Sequence, residues 1–339
     1  MNPTRLAAIT ARFAGLRVAV AGDFSLDRYF DIDPARAELS IETGLPVHNI
    51  TRVRCSPGAA GNIVQNLGAL GAGTVRPVGC CGDDGEGFEL LRALRRVPGV
   101  HLDHFLQSAD RVTFTYTKPL IHTPGRAPAE LSRLDLKNWT PTPAGVDAAL
   151  CAALDQLAPQ LDALIVMDQS ATPGTGIISP AVLATVQRLA AAHPNLLVLA
   201  DSRHGLGHFP PLTFKMNAAE FALLTGSPAE ATIEEIKTRA EQFAAASRRP
   251  LFVTLAERGI VGAAPGQPAE HAPAFPLRGE IDIVGAGDTV TATLTLALAA
   301  GASLAEALQL AQAAASIVIH QLGTTGTATP AELRTLLCP

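Results

Sequence analysis

A run of small residues that ends in a carboxylate, Gly285-Ala286-Gly287-Asp288, stands just before a long apolar segment. The apolar segment predicts a helix that begins at this run. Backbone N–H groups at a helix start bind anions, and small residues let a phosphate approach them. Asp288 can then take the proton of an attacking hydroxyl while the amides hold the phosphoryl charge. An N-cap aspartate in a tight turn explains the same residues, and spacing alone leaves both interpretations open.

A second run of small residues, Gly58-Ala59-Ala60-Gly61-Asn62, precedes an uncharged helix-like segment. Small side chains leave room for a polar ligand, and the Asn62 amide can donate and accept hydrogen bonds to hydroxyls. Close packing of a helix on a sheet is the alternative explanation. Asp23 and Asp27, at the end of an apolar run, suit neighbouring sugar hydroxyls or are ordinary surface carboxylates.

Asn217 and Glu220 open a further helix-like segment. An Asn followed three residues later by Glu predicts a capping box. The same side chains can hold a metal ion through water, and the sequence leaves both interpretations open.

Several common catalytic motifs are absent from the sequence. No lysine follows a glycine, which excludes a Walker A loop. No H-E-x-x-H or G-x-S-x-G motif supports a zinc enzyme or a serine hydrolase. Gly174-x-Gly176 lacks the third glycine of a dinucleotide fingerprint, so we predict an ordinary turn and no oxidoreductase.

The composition narrows the class of protein. A net charge of −5 and 4% aromatic residues argue against nucleic acid as a partner. Residues 289–305 carry no charge, but their alternating threonines favour a buried helix over a membrane span. We expect no membrane partner. Sparse cysteines without C-x-x-C, and no secretory leader, indicate a reducing cytoplasm.

Short apolar runs alternate with longer Ala- and Leu-rich segments, which predicts a parallel sheet covered by helices. The candidate polar residues follow the strands, at the edge where such sheets bind ligands. Strands are predicted over 18–21, 164–167, 196–200 and 251–253, and helices over 144–157, 180–192, 233–246 and 289–300. Residues 29–54 and 111–135 alternate like strands and predict a small inserted antiparallel sheet. The large α/β domain then comprises 1–28, 55–110 and 136–339.

Taken in order, these motifs resemble the pfkB-type, ribokinase-like carbohydrate kinases. The similarity runs from about residue 18 to residue 329. Within the family it is greatest to the heptose-7-phosphate kinase domains of bifunctional ADP-heptose synthases, through Asp27-Arg28-Tyr29 and Arg133-Leu134-Asp135. The matching motifs are D-T-x-G-A-G-D at 282–288, the glycine-pair signature that ends in Asn at 58–62, N-x-x-E at 217–220 and T-x-G-x-x-G at 254–259.

The resemblance implies a three-layer α/β fold with a mainly parallel central sheet and a small β lid, which in relatives also pairs subunits into homodimers. It implies transfer of a phosphoryl group from ATP, with Mg²⁺, to a small sugar or sugar phosphate. Asp288 would be the general base, with Gly285, Ala286 and Gly287 as the anion hole. The acceptor would contact Asp23, Asp27, Gly58, Ala59, Asn62 and Arg133. The nucleotide would contact Asn217, Thr254, Ala256, Gly259 and Gln312. Asn217 and Glu220 would hold Mg²⁺ through water, and Asp282 would bind K⁺.

Departures from the family pattern leave the acceptor open. Ala59 replaces a glycine, Ile283 a threonine and Gln312 an asparagine. The 168–172 turn lacks the lysine of the heptose kinases, and Glu38 stands where they carry arginine. Arg28, Arg133 and Arg203 are candidates to grip an acceptor phosphate. The alternatives are a free hexose or pentose as acceptor, or a homologue that senses a sugar or nucleotide without turnover.

Overall fold

A computed structural model describes residues 1–170, 172–228, 230–323 and 325–338; Ala171, in the turn discussed above, lies outside them. The strands are β1 Arg17–Gly22, β2 Phe24–Ile32, β3 Glu38–Leu39, β4 Pro46–Val47, β5 Ile50–Ala59, β6 Thr74–Gly82, β7 Phe105–Ser108, β8 Phe114–Ile121, β9 Ala129–Glu130, β10 Leu134–Leu136, β11 Ala163–Asp168, β12 Leu197–Ser202, β13 Thr213–Asn217, β14 Leu251–Thr254, β15 Ile260–Ala263 and β16 Glu270–Ala272. The helices are α1 Pro3–Phe13, α2 Ala60–Leu70, α3 Gly85–Leu94, α4 Ala144–Leu157, α5 Pro180–Ala192, α6 Ala218–Thr225, α7 Ile233–Ser247, α8 Ala286–Ala299, α9 Leu304–Val318 and α10 Pro330–Leu337.

A nine-stranded sheet forms the middle layer, in the order β16-β15-β14-β13-β12-β11-β1-β6-β7. Its strands are parallel from β14 to β7, and β15 and β16 add an antiparallel edge. One face packs against α1, α2, α3, α8, α9 and α10, and the other against α4, α5, α6 and α7. The predicted three-layer, mainly parallel fold is confirmed.

The predicted elements of this layer lie where expected. Helices α4 and α5 have the predicted bounds, and the predicted strands fall within one residue of β1, β11 and β14 and within two residues of β12. Helix α8 begins three residues before the predicted 289, because Gly285 adopts a φ of 83° and serves as its N-cap.

Helix α8 lies in the core rather than in a bilayer. Its threonines at 289, 291, 293 and 295 are fully buried. Their hydroxyls donate to carbonyl oxygens one turn earlier, which satisfies polar groups that burial would otherwise leave unpaired. Within the described ranges, no helix has both the length and the apolarity that crossing a membrane requires.

The small sheet follows the order β10-β8-β2-β5, with β9 on β8 and a separate β3–β4 hairpin. Its central pair, β2 and β8, is parallel, whereas β5 and β10 are antiparallel to their neighbours. The expectation of a wholly antiparallel sheet is therefore wrong at β2–β8. Both of these strands leave the large sheet from its ligand-binding edge and so run side by side. The sheet begins at Phe24 and extends to Ala59, beyond the predicted 29–54.

Candidate active site

A cleft of about 500 Å³ separates the inner face of the small sheet from the carboxyl ends of β11, β12 and β13. It brings together many of the residues predicted from the sequence. Those lining it are Asp27, Ala59, Asn62, Arg133, Asn217, Glu220, Gly285, Gly287 and Asp288. Arg203, a candidate to grip an acceptor phosphate, also lines the cleft. The lining further contains polar residues to which the sequence assigned no contact: Ser25, Tyr116, Lys118, Lys137, Gln169, Asp201 and Lys215.

Asp288 is the third residue of α8, and Gly285, not Asp288, is the N-cap. The Asn62 amide donates to Asp288 Oδ2 over 3.1 Å. Burial raises the pKa of Asp288 to about 6, although the Asn62 hydrogen bond and the Lys215 ammonium act in the opposite direction. The N-cap interpretation therefore does not describe this carboxylate, which faces the cleft beside the loop amides.

Packing of α2 on α8 fixes the position of Asn62. The Thr289 hydroxyl donates to Asn66 Oδ1 over 3.0 Å, and the Asn66 amide donates to the Asn62 carbonyl over 2.9 Å. This buried chain of hydrogen bonds links the helix that carries Asn62 to the helix that carries Asp288.

Asp27 projects from β2 into the acceptor end of the cleft. Gly58 lies beside it on β5, where a Cβ atom would stand 2.6 Å from Asp27 Oδ1. Position 58 must therefore be glycine for the carboxylate to keep this place. Burial raises the pKa of Asp27, and the positive charges of Lys118, Arg133 and Arg203 oppose that rise.

Positive side chains surround Asp27 on both walls. Arg133 and Lys137 share Asp135, at 2.7 Å and 3.3 Å. In the part of the chain that the structure describes, Lys118 and Arg203 pair with no carboxylate. Lys118 lies 5.2 Å from the centre of the Tyr29 ring.

Arg28 and Glu38, weighed above as acceptor contacts, do not line the cleft. Arg28 points to the other face of β2 and pairs with Glu86 over 2.9 Å. Glu38 lies on the exposed β3 strand, where it accepts a hydrogen bond from Asn49. Glu38, which stands where the heptose kinases carry arginine, therefore lies outside this cleft.

Asp23 lies outside the cleft lining and holds a loop in place. Its Oδ2 accepts the N–H groups of Gln169 and Ser170 over 2.9 and 2.8 Å, and its Oδ1 accepts that of Ile177 over 2.8 Å. The carboxylate is buried and bonded on both oxygens. In this structure it positions the loop that carries Gln169 into the cleft.

An ion pair that the sequence did not predict forms the floor of the cleft. Lys215 Nζ, on β13, lies 2.7 Å from Asp201 Oδ2, on β12. The sequence signal was a lysine within the apolar run 212–216, followed by Asn217. That signal becomes specific only when the parallel strands are placed side by side.

Asn217 and Glu220 form the predicted capping box at the start of α6. Asn217 Oδ1 accepts the Glu220 N–H over 2.9 Å, and Glu220 Oε2 accepts the Asn217 N–H over 2.8 Å. Burial raises the pKa of Glu220. Within the described ranges, Oε2 is the Glu220 oxygen that accepts a hydrogen bond, and the side chain lines the cleft. No cluster of three or more His, Cys, Asp or Glu suited to a metal occurs among the described residues. A single carboxylate beside an amide fits Mg²⁺, an ion that usually keeps several waters and binds one or two carboxylates.

Of the predicted nucleotide residues, Asn217 lines the cleft, whereas Thr254, Ala256, Gly259 and Gln312 do not. Thr254 ends β14 opposite Asn217, and a short 3₁₀ turn, Ala256–Arg258, separates it from Gly259. Gln312 is buried on α9. Asp282 Oδ1 accepts the Val284 N–H over 3.0 Å, just ahead of the anion loop.

Comparison with known families and curated sequences finds one family model and several relatives named bifunctional protein HldE. A model described as pfkB family carbohydrate kinase matches residues 178–331. Bifunctional protein HldE of Halorhodospira halophila is 37% identical over 329 residues, which are 96% of this chain and 64% of that protein. HldE of Caulobacter vibrioides is 33% identical over 322 residues, 94% and 63% of the two chains. The chain therefore spans less than two thirds of the length of these relatives.

Solved structures show the same fold. Arabidopsis thaliana ribokinase, in complex with ribose and ATP, matches with a TM-score of 0.69 at 20% identity, covering 96% of this chain and 99% of that one. Escherichia coli phosphofructokinase-2, with substrates and products, gives 0.69 at 16% identity and covers 95% and 98%. A structure of that enzyme in complex with potassium gives 0.69, also at 16%, with coverage of 95% and 98%.

Proposed function

We propose that the chain is a carbohydrate kinase of the pfkB family, whose model matches residues 178–331, and that it transfers the γ-phosphoryl group of ATP to a hydroxyl of a sugar phosphate. The observation that carries this proposal is the position of Asp288. Its carboxylate faces the cleft at the start of α8, beside the Gly285 and Gly287 backbone and across from Asp27.

In the proposed reaction, Asp27 and Asn62 orient the acceptor sugar. Asp288 takes the proton of the attacking hydroxyl, and the backbone amides of Gly285, Ala286 and Gly287 bind the phosphoryl oxygens. Phosphoryl transfer depends mainly on positioning and charge neutralisation. The raised pKa of Asp288 supports this role, because a base with a pKa near the working pH is the most effective.

The nucleotide is proposed to lie toward Asn217, Thr254, Ala256, Gly259 and Gln312. Mg²⁺ bound to its phosphates would neutralise charge and would contact Glu220 and Asn217 through water, because both side chains line the cleft. Asp282 is proposed to bind K⁺, because its segment leads directly into the anion loop and a phosphofructokinase-2 of the same fold binds potassium.

The charge of the acceptor region favours a substrate that already carries a phosphate. Lys118, Arg133 and Arg203 lie near Asp27, and Lys137 shares Asp135 with Arg133. The other charged residues of the lining are Lys215, Asp201, Glu220 and Asp288. A phosphate monoester on the acceptor would contact the cations near Asp27. Because of the resemblance to heptose-7-phosphate kinase domains, heptose 7-phosphate is the first compound to test.

An assay of ADP release over paired sugars and sugar phosphates tests the proposal. In at least one pair, we expect the kcat/KM of the sugar phosphate to exceed that of the free sugar by tenfold or more. A tenfold ratio corresponds to about 1.4 kcal/mol. Lys118→Met should raise the KM of that acceptor. The matched control is Lys237→Met, at an exposed ion pair on α7, which should not. Faster turnover of the free sugars would contradict the proposal that the acceptor is a sugar phosphate. The absence of ADP release with every pair would contradict the kinase reaction itself.

A second copy of the chain is the proposed macromolecular partner. The β3–β4 hairpin and the β5 edge expose Leu39, Ile41, Leu45, Ile50 and Val53. A cluster of exposed apolar residues indicates an interaction surface. The unpaired cysteines Cys55, Cys80, Cys81, Cys151 and Cys338 are compatible with the cytoplasmic location that we propose.

A further inference from the structure

Lys215 lies beneath the anion loop. Its Nζ would stand only 3.2 Å from a Cβ atom at position 287, so Gly287 leaves the space that the ammonium group uses. The side chain lines the cleft while remaining 92% buried, since its exposed fraction is 8%.

Asp201 holds this ammonium group in place. Its Oδ2 lies 2.7 Å from Lys215 Nζ and also accepts the Thr291 hydroxyl over 3.0 Å. Thr291 belongs to α8, the helix that carries Asp288. The carboxylate thus connects β12, β13 and α8, and the position of Lys215 is fixed relative to the loop and the general base.

The ammonium group has N–H donors to spare. Among the described residues, Asp201 is the acceptor bonded to Lys215 Nζ, and an ammonium group carries three N–H groups. A buried ion pair is weak support for a fold, because an apolar pair of similar volume often stabilises a protein as well or better. A lysine held with free donors at the base of a phosphate-binding loop therefore suggests a role in binding charge.

We propose that Lys215 is a further catalytic residue, which contacts an oxygen of the phosphoryl group during its transfer, and that Asp201 is its positioning residue. This inference rests on the proposed kinase function. The acceptor oxygen forms a bond to the γ-phosphorus while the bond from that phosphorus to the β–γ bridging oxygen breaks. The bridging oxygen leaves with the electron pair as part of ADP, and the hydroxyl proton goes to Asp288. Lys215 forms no covalent bond and exchanges no proton.

The test removes both charges together. Lys215→Met/Asp201→Asn leaves no unpaired charge in the core and keeps the net charge of the site unchanged, so it should remain folded. We expect kcat to fall by about 10² to 10³, as for the loss of one preorganised donor to a transition state. Wild type should bind a nonhydrolysable ATP analogue more tightly than ADP. In the double variant, the ratio of the ADP Kd to the analogue Kd, measured by calorimetry, should fall by at least about tenfold.

The matched control is the Arg17–Asp162 pair, which joins β1 and β11 at the opposite end of the large sheet. Arg17→Met/Asp162→Asn should leave both measurements unchanged. If thermal melting shows the Lys215 double variant to be unfolded, Lys215→Gln/Asp201→Asn keeps a hydrogen bond between the side chains and carries the same expectation.

A folded variant with kcat within about threefold of wild type and an unchanged preference for the ATP analogue over ADP would overturn the role of Lys215. That result leaves the kinase function standing, because the wild type turns over. If the wild type phosphorylates no sugar, the kinase proposal fails. The analogue-against-ADP comparison then decides separately whether Lys215 contacts the terminal phosphate.

Discussion

Asp288 combines two properties that a general base in a phosphoryl transfer requires. It lies in the first turn of α8, next to the loop amides, and the Asn62 amide fixes one of its oxygens. Asp288→Asn keeps the size of the side chain but cannot accept the proton. We expect a rate loss of about 10² to 10⁴ with nucleotide affinity nearly unchanged. Turnover within about threefold of wild type would contradict the assignment.

As the proposed general base, Asp288 should set the pH dependence of the reaction through its pKa. Burial raises it to about 6, and only the deprotonated carboxylate can act as a base. Activity should therefore be lost as the pH falls through about 6, by about tenfold per pH unit below it. A pH profile of kcat/KM measures this. The acidic limb should disappear in Asp288→Asn, and a limb that survives in the variant would belong to another group.

Ala59 occupies a backbone conformation that favours glycine. Its φ is 54° and its ψ is −124°, at the N-cap of α2, where the family motif has glycine. Relief of this strain should outweigh the flexibility that glycine adds to the unfolded chain, so Ala59→Gly should stabilise by about 1 kcal/mol. Ala60→Gly, one residue into α2, should instead destabilise by about 0.5–1 kcal/mol. Urea unfolding measures the free energy of unfolding of both variants. If both are less stable than wild type, the backbone at Ala59 is not strained.

How far the sequence predicts the site depends on how local each signal is. The start of α8 and the Asn217–Glu220 capping box are local patterns, and the structure places both where the sequence predicts them. The roles of the loop and of Asp288 stay predictions. Lys215 and Asp201 meet only because β12 and β13 are neighbours in the sheet. Asp23 and Arg28 show the converse: their spacing suggested ligand contacts, but strand geometry turns Arg28 away and backbone N–H groups occupy Asp23.

At the scale of elements, helices were easier to predict than strand pairing. The apolar period defines α4 and α5 within their own segments, and Ser179 in addition caps α5. The parallel pairing of β2 with β8 joins strands that are separated in the chain by β3, β4, β5, α2, β6, α3 and β7, and no local pattern encodes it. The small sheet was therefore predicted as an insertion, but not its order.

The small sheet is proposed to close over the acceptor and exclude water, which would otherwise accept the phosphoryl group. Hydrogen exchange over 29–54 and 111–135 should slow when the preferred acceptor and a nonhydrolysable ATP analogue bind together. The amides of β16, at the far edge of the large sheet, are the internal control and should not change. Unchanged exchange in both segments, with saturation shown by calorimetry, would refute closure.

At the scale of the whole molecule, the outer edge of the small sheet predicts a homodimer. Ile41 is fully exposed, and Leu39 and Leu45 are each 65% exposed around it. A stable interface buries about 1,200–2,000 Å², and an apolar cluster on a short hairpin gains most by pairing with its own copy. Sedimentation should show a dimer at micromolar concentration.

Ile41→Glu/Leu45→Glu, which places like charges opposite each other across a twofold axis, should sediment as a folded monomer. Phe88→Glu, at an exposed apolar residue on α3, is the control and should remain dimeric. A wild type that stays monomeric, or a hairpin variant that stays dimeric, would show that this surface does not join the two copies.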